Sequence, residues 1–475
     1  MALPNTHFGV DYIASLMKGK KSVFFAGIGG VSMCSLAEIC KRSGHTVKGY
    51  DKTPSPITKA LEEQGITVYY EANAENAVGA DILVYTLAMP ADCPEYVYAE
   101  QNGIPRISRA DFLGYIMSGY THRLGIAGTH GKSTTTGMVS HILTAAGVEP
   151  TVFNGALMKD ASSYNIIGKN EFFAFEACEY MDSFLDFTPT SAVVLNVELD
   201  HVDYFPSLER IKESFGRFMA LTGKNGTAVV NADDENAMDA AVGYEGRLIT
   251  FGCSNPNADY TAADVTQDRG LPVFTILYKK TPLAKIRLKV PGTHSVTDAI
   301  AACAVCHAVG IAPSAIEEGL NTYEGVARRM EKILTTPSRT EIYTDYAHHP
   351  TEIRTTLEGA CGLGFGKVKV IFQPHTFSRT HELFDDFVSA FAESAADEVI
   401  LCDIYPARET NIYGISSDKL ADAITAKGKP CTVIHSITDA AVYADRRTGD
   451  GDMILIMGAG DVIKAADKIK EMYGD

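Results

Sequence analysis

The residues best equipped for chemistry lie in Leu124-Gly-Ile-Ala-Gly-Thr-His-Gly-Lys-Ser-Thr-Thr-Thr136, where glycines are followed by a lysine and then hydroxyls. Glycines let the backbone turn so that several N–H groups converge on one anion. The N-terminus of the helix expected from Ser133 onward adds positive potential, and Lys132 adds a full charge. Such a segment cradles phosphate, which assigns Gly128, Thr129, His130, Gly131, Lys132, Ser133 and Thr134 to ATP. In the usual P-loop spacing a glycine stands five residues before Gly-Lys-Ser; here that place is Ile126, and the glycines are Gly125 and Gly128. An ordinary glycine turn capped by Ser133 is the alternative. The position of Gly-Lys-Ser directly between a strand and a helix favours the nucleotide.

A triphosphate needs Mg²⁺, whose octahedral shell mixes protein oxygens with phosphate oxygens and water. Two acidic clusters follow apolar strands: Glu176-Ala-Cys-Glu179 after Phe172–Ala177, and Asn196-Val-Glu-Leu-Asp-His201-Val-Asp203 after Ala192–Leu195. Both therefore fall at the carboxyl edge of a sheet, the edge that also presents the phosphate loop. Ser133 and Glu176 are fitting hard ligands, and His201 is a softer one. Alternatively Glu176 pairs with a cation and His201 caps a turn. Nearer the N-terminus, Gly27-Ile-Gly-Gly30 opens a helix and is followed some twenty residues later by Asp51, a dinucleotide-like fingerprint whose third glycine is replaced by Ser32. It assigns Gly27, Ile28, Gly29 and Gly30 to a diphosphate-bearing ligand and Asp51 to a sugar hydroxyl. A loop with a structural glycine explains the same residues.

Positioning these groups requires alternating strands and helices. Residues 22–107 supply strands at Ser22–Ala26, Thr46–Tyr50, Ile66–Tyr70, Asp81–Tyr85 and Ile104–Ile107 with amphipathic segments between, the rhythm of a parallel, doubly wound sheet. A helix from Arg109 to Met117 leads to a first boundary near 120. From Asp259 to Val290 the strands alternate around turn residues, an antiparallel appendage. An alanine-rich helix and a connector, Tyr323–Met330, follow, with a second boundary near 326. Beyond it come strands at Thr340–Thr344, Val368–Phe372, Glu398–Leu401 and Met453–Met457, and a helix expected from Arg379 to Ala395. Its polar loops are Asp345–His349, Gln373–Arg379 and Tyr405–Glu409. The expected fold is α/β in three domains: a Rossmann-like domain over 1–119, a P-loop-type central domain with a mostly parallel sheet over 120–326, and a Rossmann-like domain over 327–475.

At 475 residues, 46% hydrophobic and 21% charged, the chain has the composition of a soluble globular protein. Its net charge of −17 argues against a general nucleic-acid or acidic-membrane surface, so phosphates must be held by local donors and metal. With no apolar run approaching a membrane span and no basic-then-apolar leader, a cytoplasmic location without membrane insertion is expected. Ten cysteines without paired spacing fit reduced thiols. Cys303-Ala-Val-Cys306-His307 matches a haem-attachment pattern but lies in the alanine-rich helical run, where packing accounts for it.

Taken in order, these segments resemble the Mur ligases, ATP-dependent amide-forming enzymes of peptidoglycan synthesis. The resemblance spans nearly the whole chain and includes Gly292-Thr-His294, Gly325-Val-Ala-Arg-Arg329, Asp345-Tyr-Ala-His-His-Pro-Thr-Glu352, Phe372-Gln-Pro-His-Thr-Phe-Ser-Arg-Thr380 and Gly458-Ala-Gly-Asp461. It implies a UDP-sugar on the first domain, ATP on the second, and a third that closes over both with an amino acid. The implied reaction joins L-alanine to UDP-N-acetylmuramate through an acyl phosphate, because a carboxylate is a poor electrophile until phosphorylated. It implies Lys132, Glu176, His201, His348 and Arg379 as catalytic, with His348 and Arg379 handling the amino acid. It also implies nucleotide contacts from His294, Arg329 and Asp345, and a monomer or weak homodimer. The chain departs from the pattern at Ser295 and Asp298, where the family often has Asn, at Cys178 for Asp, and at Thr376 where some members carry Arg. The rivals are a recycling ligase that attaches a whole peptide to the same sugar, a non-catalytic nucleotide-binding relative, and an NAD-dependent oxidoreductase. The last leaves Gly128–Ser133 without a role.

Overall fold

Ser22-Val-Phe-Phe-Ala26 is apolar on both faces, which suits a strand buried between two helical layers. In the computed structural model, which describes residues 3–159, 163–201, 204–407 and 409–474, this strand is the centre of its sheet. Asp203 and Arg408 lie outside the described residues. Backbone packing divides the chain into two units, Met1–Asp259 with Ala301–Ile316, and Tyr260–Ile300 with Glu317–Asp475.

The first unit holds two sheets. One contains β1 (Ser22–Ala26), β2 (Thr46–Tyr50), β3 (Thr67–Tyr69), β4 (Ile82–Tyr85) and β5 (Arg106–Ser108), all parallel, in the order β3-β2-β1-β4-β5. Around it lie α1 (Val10–Leu16), α2 (Val31–Arg42), α3 (Pro56–Glu63), α4 (Pro94–Gln101) and α5 (Arg109–Met117). The other contains β6 (His122–Ala127), β7 (Thr151–Met158), β8 (Ser163–Ile166), β9 (Phe172–Glu176), β10 (Ser191–Val194), β11 (Thr227–Asn231) and β12 (Arg247–Phe251). Their order is β12-β11-β10-β6-β9-β7-β8, and every pair is parallel except the β7–β8 hairpin. With them go α6 (Lys132–Ala145), α7 (Leu208–Ala220) and α8 (Glu235–Ala240). One apolar core reaches from Phe25 and Phe112 to Phe175, Phe187 and Phe218, so both sheets share it. At Gly114 a Cβ would meet the Asp186 carbonyl at 2.0 Å, so α5 lies against the segment Tyr180–Asp186 closer than any side chain would permit.

The alanine-rich run becomes α9 (His294–Ala308), followed by α10 (Pro313–Thr322). Cys303 and Cys306 are fully buried, as helix packing requires.

In the second unit, β13 (Tyr260–Asp268), β14 (Leu271–Tyr278) and β15 (Thr281–Arg287) form the expected antiparallel appendage. A six-stranded sheet follows, of β16 (Glu331–Thr335), β17 (Glu341–Asp345), β18 (Val368–Phe372), β19 (Glu398–Leu401), β20 (Cys431–Val433) and β21 (Met453–Met457), in the order β16-β17-β21-β18-β19-β20. Only β16 runs antiparallel. Its helices are α11 (Pro350–Gly362), α12 (Phe377–Glu382), α13 (Phe384–Ala392), α14 (Ser417–Ala426), α15 (Ile437–Asp445) and α16 (Lys464–Tyr473). The single helix expected from Arg379 to Ala395 is thus two, broken at Leu383. Leu383 itself, at φ −105° and ψ 24°, leaves helical geometry.

Candidate active site

β6 ends at Ala127, and the chain turns through Gly128 (φ 152°) and Gly131 (φ 83°) into α6. A Cβ at Gly128 would lie 2.9 Å from that of Leu195, so the glycine serves close approach as well as φ. No side chain caps α6, which leaves the N–H groups of its first turn facing the loop, the arrangement an anion needs. Asn196, just beyond β10, clamps the loop: it accepts from the His130 N–H at 2.8 Å and donates to the His130 carbonyl at 3.2 Å. Thr129 is laced to the same segment through Glu198, whose N–H reaches its hydroxyl at 2.9 Å.

Lys132 bends back over this loop. Its Nζ donates to the carbonyls of Gly128 (2.5 Å) and Thr129 (3.1 Å) and pairs with Glu179 at 3.1 Å. The Glu179 side chain is wholly buried and that of Lys132 nearly so. Burial works against the ammonium, but the carboxylates of Glu179 and Glu176 nearby outweigh it and hold its pKa above the ordinary lysine value. Lys132 is therefore a fixed positive charge. Beside it the Ser133 hydroxyl donates to Glu176 at 2.7 Å, an oxygen pair of the hard type that Mg²⁺ takes. His201, at φ 52°, stands apart from that pair: its Nε2 is 3.7 Å from Glu179 and 3.8 Å from Asp200, and its ring packs on Tyr180 at 4.7 Å. The three expected metal residues thus fall in two adjoining groups, Ser133 with Glu176 and His201 with Glu179 and Lys132.

In the glycine loop after β1 the N–H groups have partners within the protein. The N–H groups of Gly27 and Ile28 both reach the Tyr50 carbonyl, that of Gly30 reaches Gly27, and that of Gly29 reaches the Asp51 carboxylate at 2.8 Å. Three of the four thus bond to the end of β2 and one stays inside the loop, and the Ile28 side chain is fully buried. What remains toward a diphosphate is the first turn of α2, whose N-cap Gly30 offers no side chain. Asp51 approaches so closely that a Cβ at Gly29 would be 2.7 Å from its oxygen.

In the second unit, His294 opens α9, and Gly292 (φ 94°) makes room for its ring. Its Nδ1 is buried with no hydrogen-bond partner among the described residues, which fits a site that a ligand completes. Burial, with Arg329 close by, lowers its pKa to about 4, so the ring is neutral near pH 7. Ser295, where the family often has Asn, spends its hydroxyl on the Pro291 carbonyl at 2.7 Å. Asp345 is buried and its oxygens accept from the N–H groups of Met330 and Ala347, both at 2.7 Å. These bonds, with one from the Thr356 hydroxyl at 3.4 Å, tie the connector to β17. Arg329 lies 3.5 Å from Glu352 and over the Tyr346 ring at 5.5 Å. His348 directs Nδ1 to the Tyr346 carbonyl (3.0 Å) and to Glu352 (3.1 Å). Its ring is 5.7 Å from that of His375, which in turn is 3.2 Å from Arg379 and stacks on Tyr405. The three polar loops that follow β17, β18 and β19 therefore form one cluster. Thr376 (φ 68°) caps α12 by accepting from the Arg379 N–H.

Three family models match along the chain in order: Mur ligase family, catalytic domain, over residues 22–121; Mur ligase middle domain, over 126–306; and Mur ligase, glutamate ligase domain, over 328–460. The chain belongs to the Mur ligase family. Curated relatives of this Mur ligase include the UDP-N-acetylmuramate--L-alanine ligase of Acetivibrio thermocellus, 41% identical over 94% of this chain and 95% of its own. That of Clostridium tetani is 40% identical over 95% and 98%. Among solved structures, the UDP-N-acetylmuramate-alanine ligase of Thermotoga maritima superposes with a TM-score of 0.79 at 27% identity, covering 96% of this chain and 99% of its own. The murein peptide ligase of Psychrobacter arcticus shares the fold, with a TM-score of 0.69 at 23% identity over 96% and 99%.

Several residues of this Mur ligase carry the site without having stood out as site residues in the sequence. Glu179 and Asn196 belong to the motifs quoted above, and only their contacts single them out. Asp182 fixes the segment behind Glu179, accepting from Tyr204 at 2.9 Å and Arg210 at 2.8 Å. Arg109 reaches the Ser32 hydroxyl at 3.4 Å in the first turn of α2, and a lone Arg at a helix start gives no local signal of that.

Proposed function

We propose that this Mur ligase joins L-alanine to the lactyl carboxylate of UDP-N-acetylmuramate with hydrolysis of ATP to ADP and phosphate, in the synthesis of peptidoglycan precursors in the cytoplasm. What carries the reading is the uncapped phosphate-loop helix with Lys132 and the Ser133–Glu176 oxygen pair. It stands in a chain whose relatives at 40–41% identity are UDP-N-acetylmuramate--L-alanine ligases over nearly their full length. Residues 1–119 then hold the UDP-sugar, 120–326 the ATP and 327–475 the amino acid.

A sugar carboxylate oxygen attacks the γ-phosphorus and ADP leaves. The amine of L-alanine then attacks the acyl carbon and phosphate leaves. Lys132, held by Glu179, neutralises charge on the transferred phosphoryl group. Ser133 and Glu176 would hold Mg²⁺, which supplies further positive charge to the phosphates, with His201 at the adjoining carboxylate. Because the Nδ1 proton of His348 goes to the Tyr346 carbonyl or Glu352, its Nε2 carries the lone pair that takes the amine proton. Arg379 would pair with the amino-acid carboxylate.

The test is phosphate release from ATP and Mg²⁺ with UDP-N-acetylmuramic acid, with and without L-alanine, and in parallel with the L-Ala-D-Glu-containing tripeptide. Release that needs both sugar and L-alanine is expected. Release only with tripeptide would assign the chain to peptide recycling, and no release despite nucleotide binding would make it a binding protein.

A further inference from the structure

The reaction proposed above brings together two ligands held by two helices from different sheets: the phosphates at the first turn of α6 and the UDP-sugar at the first turn of α2. A polar bridge joins those turns. Asn154 on β7 is buried and donates from Nδ2 to the Ser133 carbonyl, 3.1 Å away, in the first turn of α6. Its own N–H donates to Oδ1 of Asn165 on β8 at 3.2 Å. Asn165 then donates from Nδ2 to the Val31 carbonyl and the Ser35 hydroxyl of α2, each at 2.7 Å. One residue further along β7, the Gly155 N–H donates to the same Glu176 oxygen that accepts from Ser133, at 3.0 Å. The β7–β8 hairpin thus touches the phosphate-loop helix, the candidate metal carboxylate and the sugar-side helix together.

We infer that Asn154 and Asn165 are positioning residues that set the separation and angle between the two anion-binding helix ends, and so align the sugar carboxylate with the γ-phosphate. Neither needs to touch a ligand. The Asn165 carboxamide is suited to the task, because it accepts from the Asn154 backbone N–H and donates to α2 on one rigid plane, and so links the two at fixed spacing. The inference rests on the ligase reading. A misplacement of about 1 Å between reacting groups lowers a rate by roughly two orders of magnitude even when each ligand still binds.

The experiment compares the wild type with Asn165→Ala, Asn165→Asp and Ser35→Ala, measuring steady-state rates together with the separate affinities for UDP-N-acetylmuramic acid and for a non-hydrolysable ATP analogue. Asn165→Asp keeps the acceptor toward Asn154 and places a carboxylate against the Val31 carbonyl, so it breaks only the α2 half. Expected are a kcat about ten-fold or more below wild type for both Asn165 variants and a smaller fall for Ser35→Ala, with both separate affinities within about two-fold of wild type. Unchanged kcat in a folded Asn165→Ala overturns the inference, and so does a loss of affinity for either ligand in proportion to the loss of rate. Should Asn165→Ala not fold, Ser35→Ala with unchanged kcat is decisive against it. A wild type with no sugar-dependent turnover overturns the ligase reading itself, and the inference with it.

Discussion

Lys132 and Glu179 make a buried ion pair, and such a pair is weak evidence of stability yet damaging to break, because the surviving charge is left without compensation. Lys132→Ala is therefore expected to abolish turnover and to lower stability by about 3 kcal/mol, while UDP-sugar binding, on the other sheet, persists. Adding Glu179→Gln should restore most of the stability and none of the activity. Denaturant unfolding and phosphate release separate the two effects, and recovery of activity in the double variant would show that the lysine charge is dispensable. His294 gives a pH prediction. Its folded pKa, about 4, lies below that of an unfolded histidine near 6.5, so in the window between them the unfolded chain binds a proton that the folded chain does not. Its contribution to stability is complete above pH 6.5 and is lost as pH falls toward 4. His294→Asn should flatten stability against pH in that window, and a slope unchanged from wild type would place the acid sensitivity elsewhere.

At the scale of elements, the glycine turn before α6 makes the site. Gly131 holds φ 83° as the N-cap, a conformation that costs a residue with a Cβ about 1–2 kcal/mol. Gly131→Ala is expected to weaken binding of an ATP analogue at least ten-fold by titration calorimetry while leaving UDP-sugar affinity intact; equal loss of both would mean that the turn supports the whole unit. The strand-turn-helix order around this loop was legible because an apolar run, glycines and Lys-Ser follow one another locally. The split of α12 from α13 was not, because no Gly or Pro marks Leu383, the residue at which the backbone leaves helical geometry. The role of the β7–β8 hairpin was also hidden, since Asn154 and Asn165 in sequence are two polar residues in unremarkable strands.

Over the whole molecule, a net charge of −17 repels the phosphates that the sites must capture. Association of an ATP analogue is thus expected to speed up about two-fold or more as ionic strength rises from about 0.01 to 0.15 M, as screening shortens the reach of the global field. Stopped-flow rates that fall with salt would show that the local field of Lys132 and the α6 terminus dominates instead. No helix among the described residues is long and apolar enough to cross a membrane, in keeping with the even composition. By itself the sequence determined the alternation of strands and helices, the phosphate loop and the family, because each is written in local spacing of residue types. Only the tertiary structure decided which N–H groups remain available after β1, that Asp345 serves the connector, that Glu179 neutralises Lys132, and that one asparagine bridge spans two helix ends. Those outcomes depend on which atoms meet across strands far apart in the chain, and hydrogen-bond partners at that distance leave no periodic trace in the sequence.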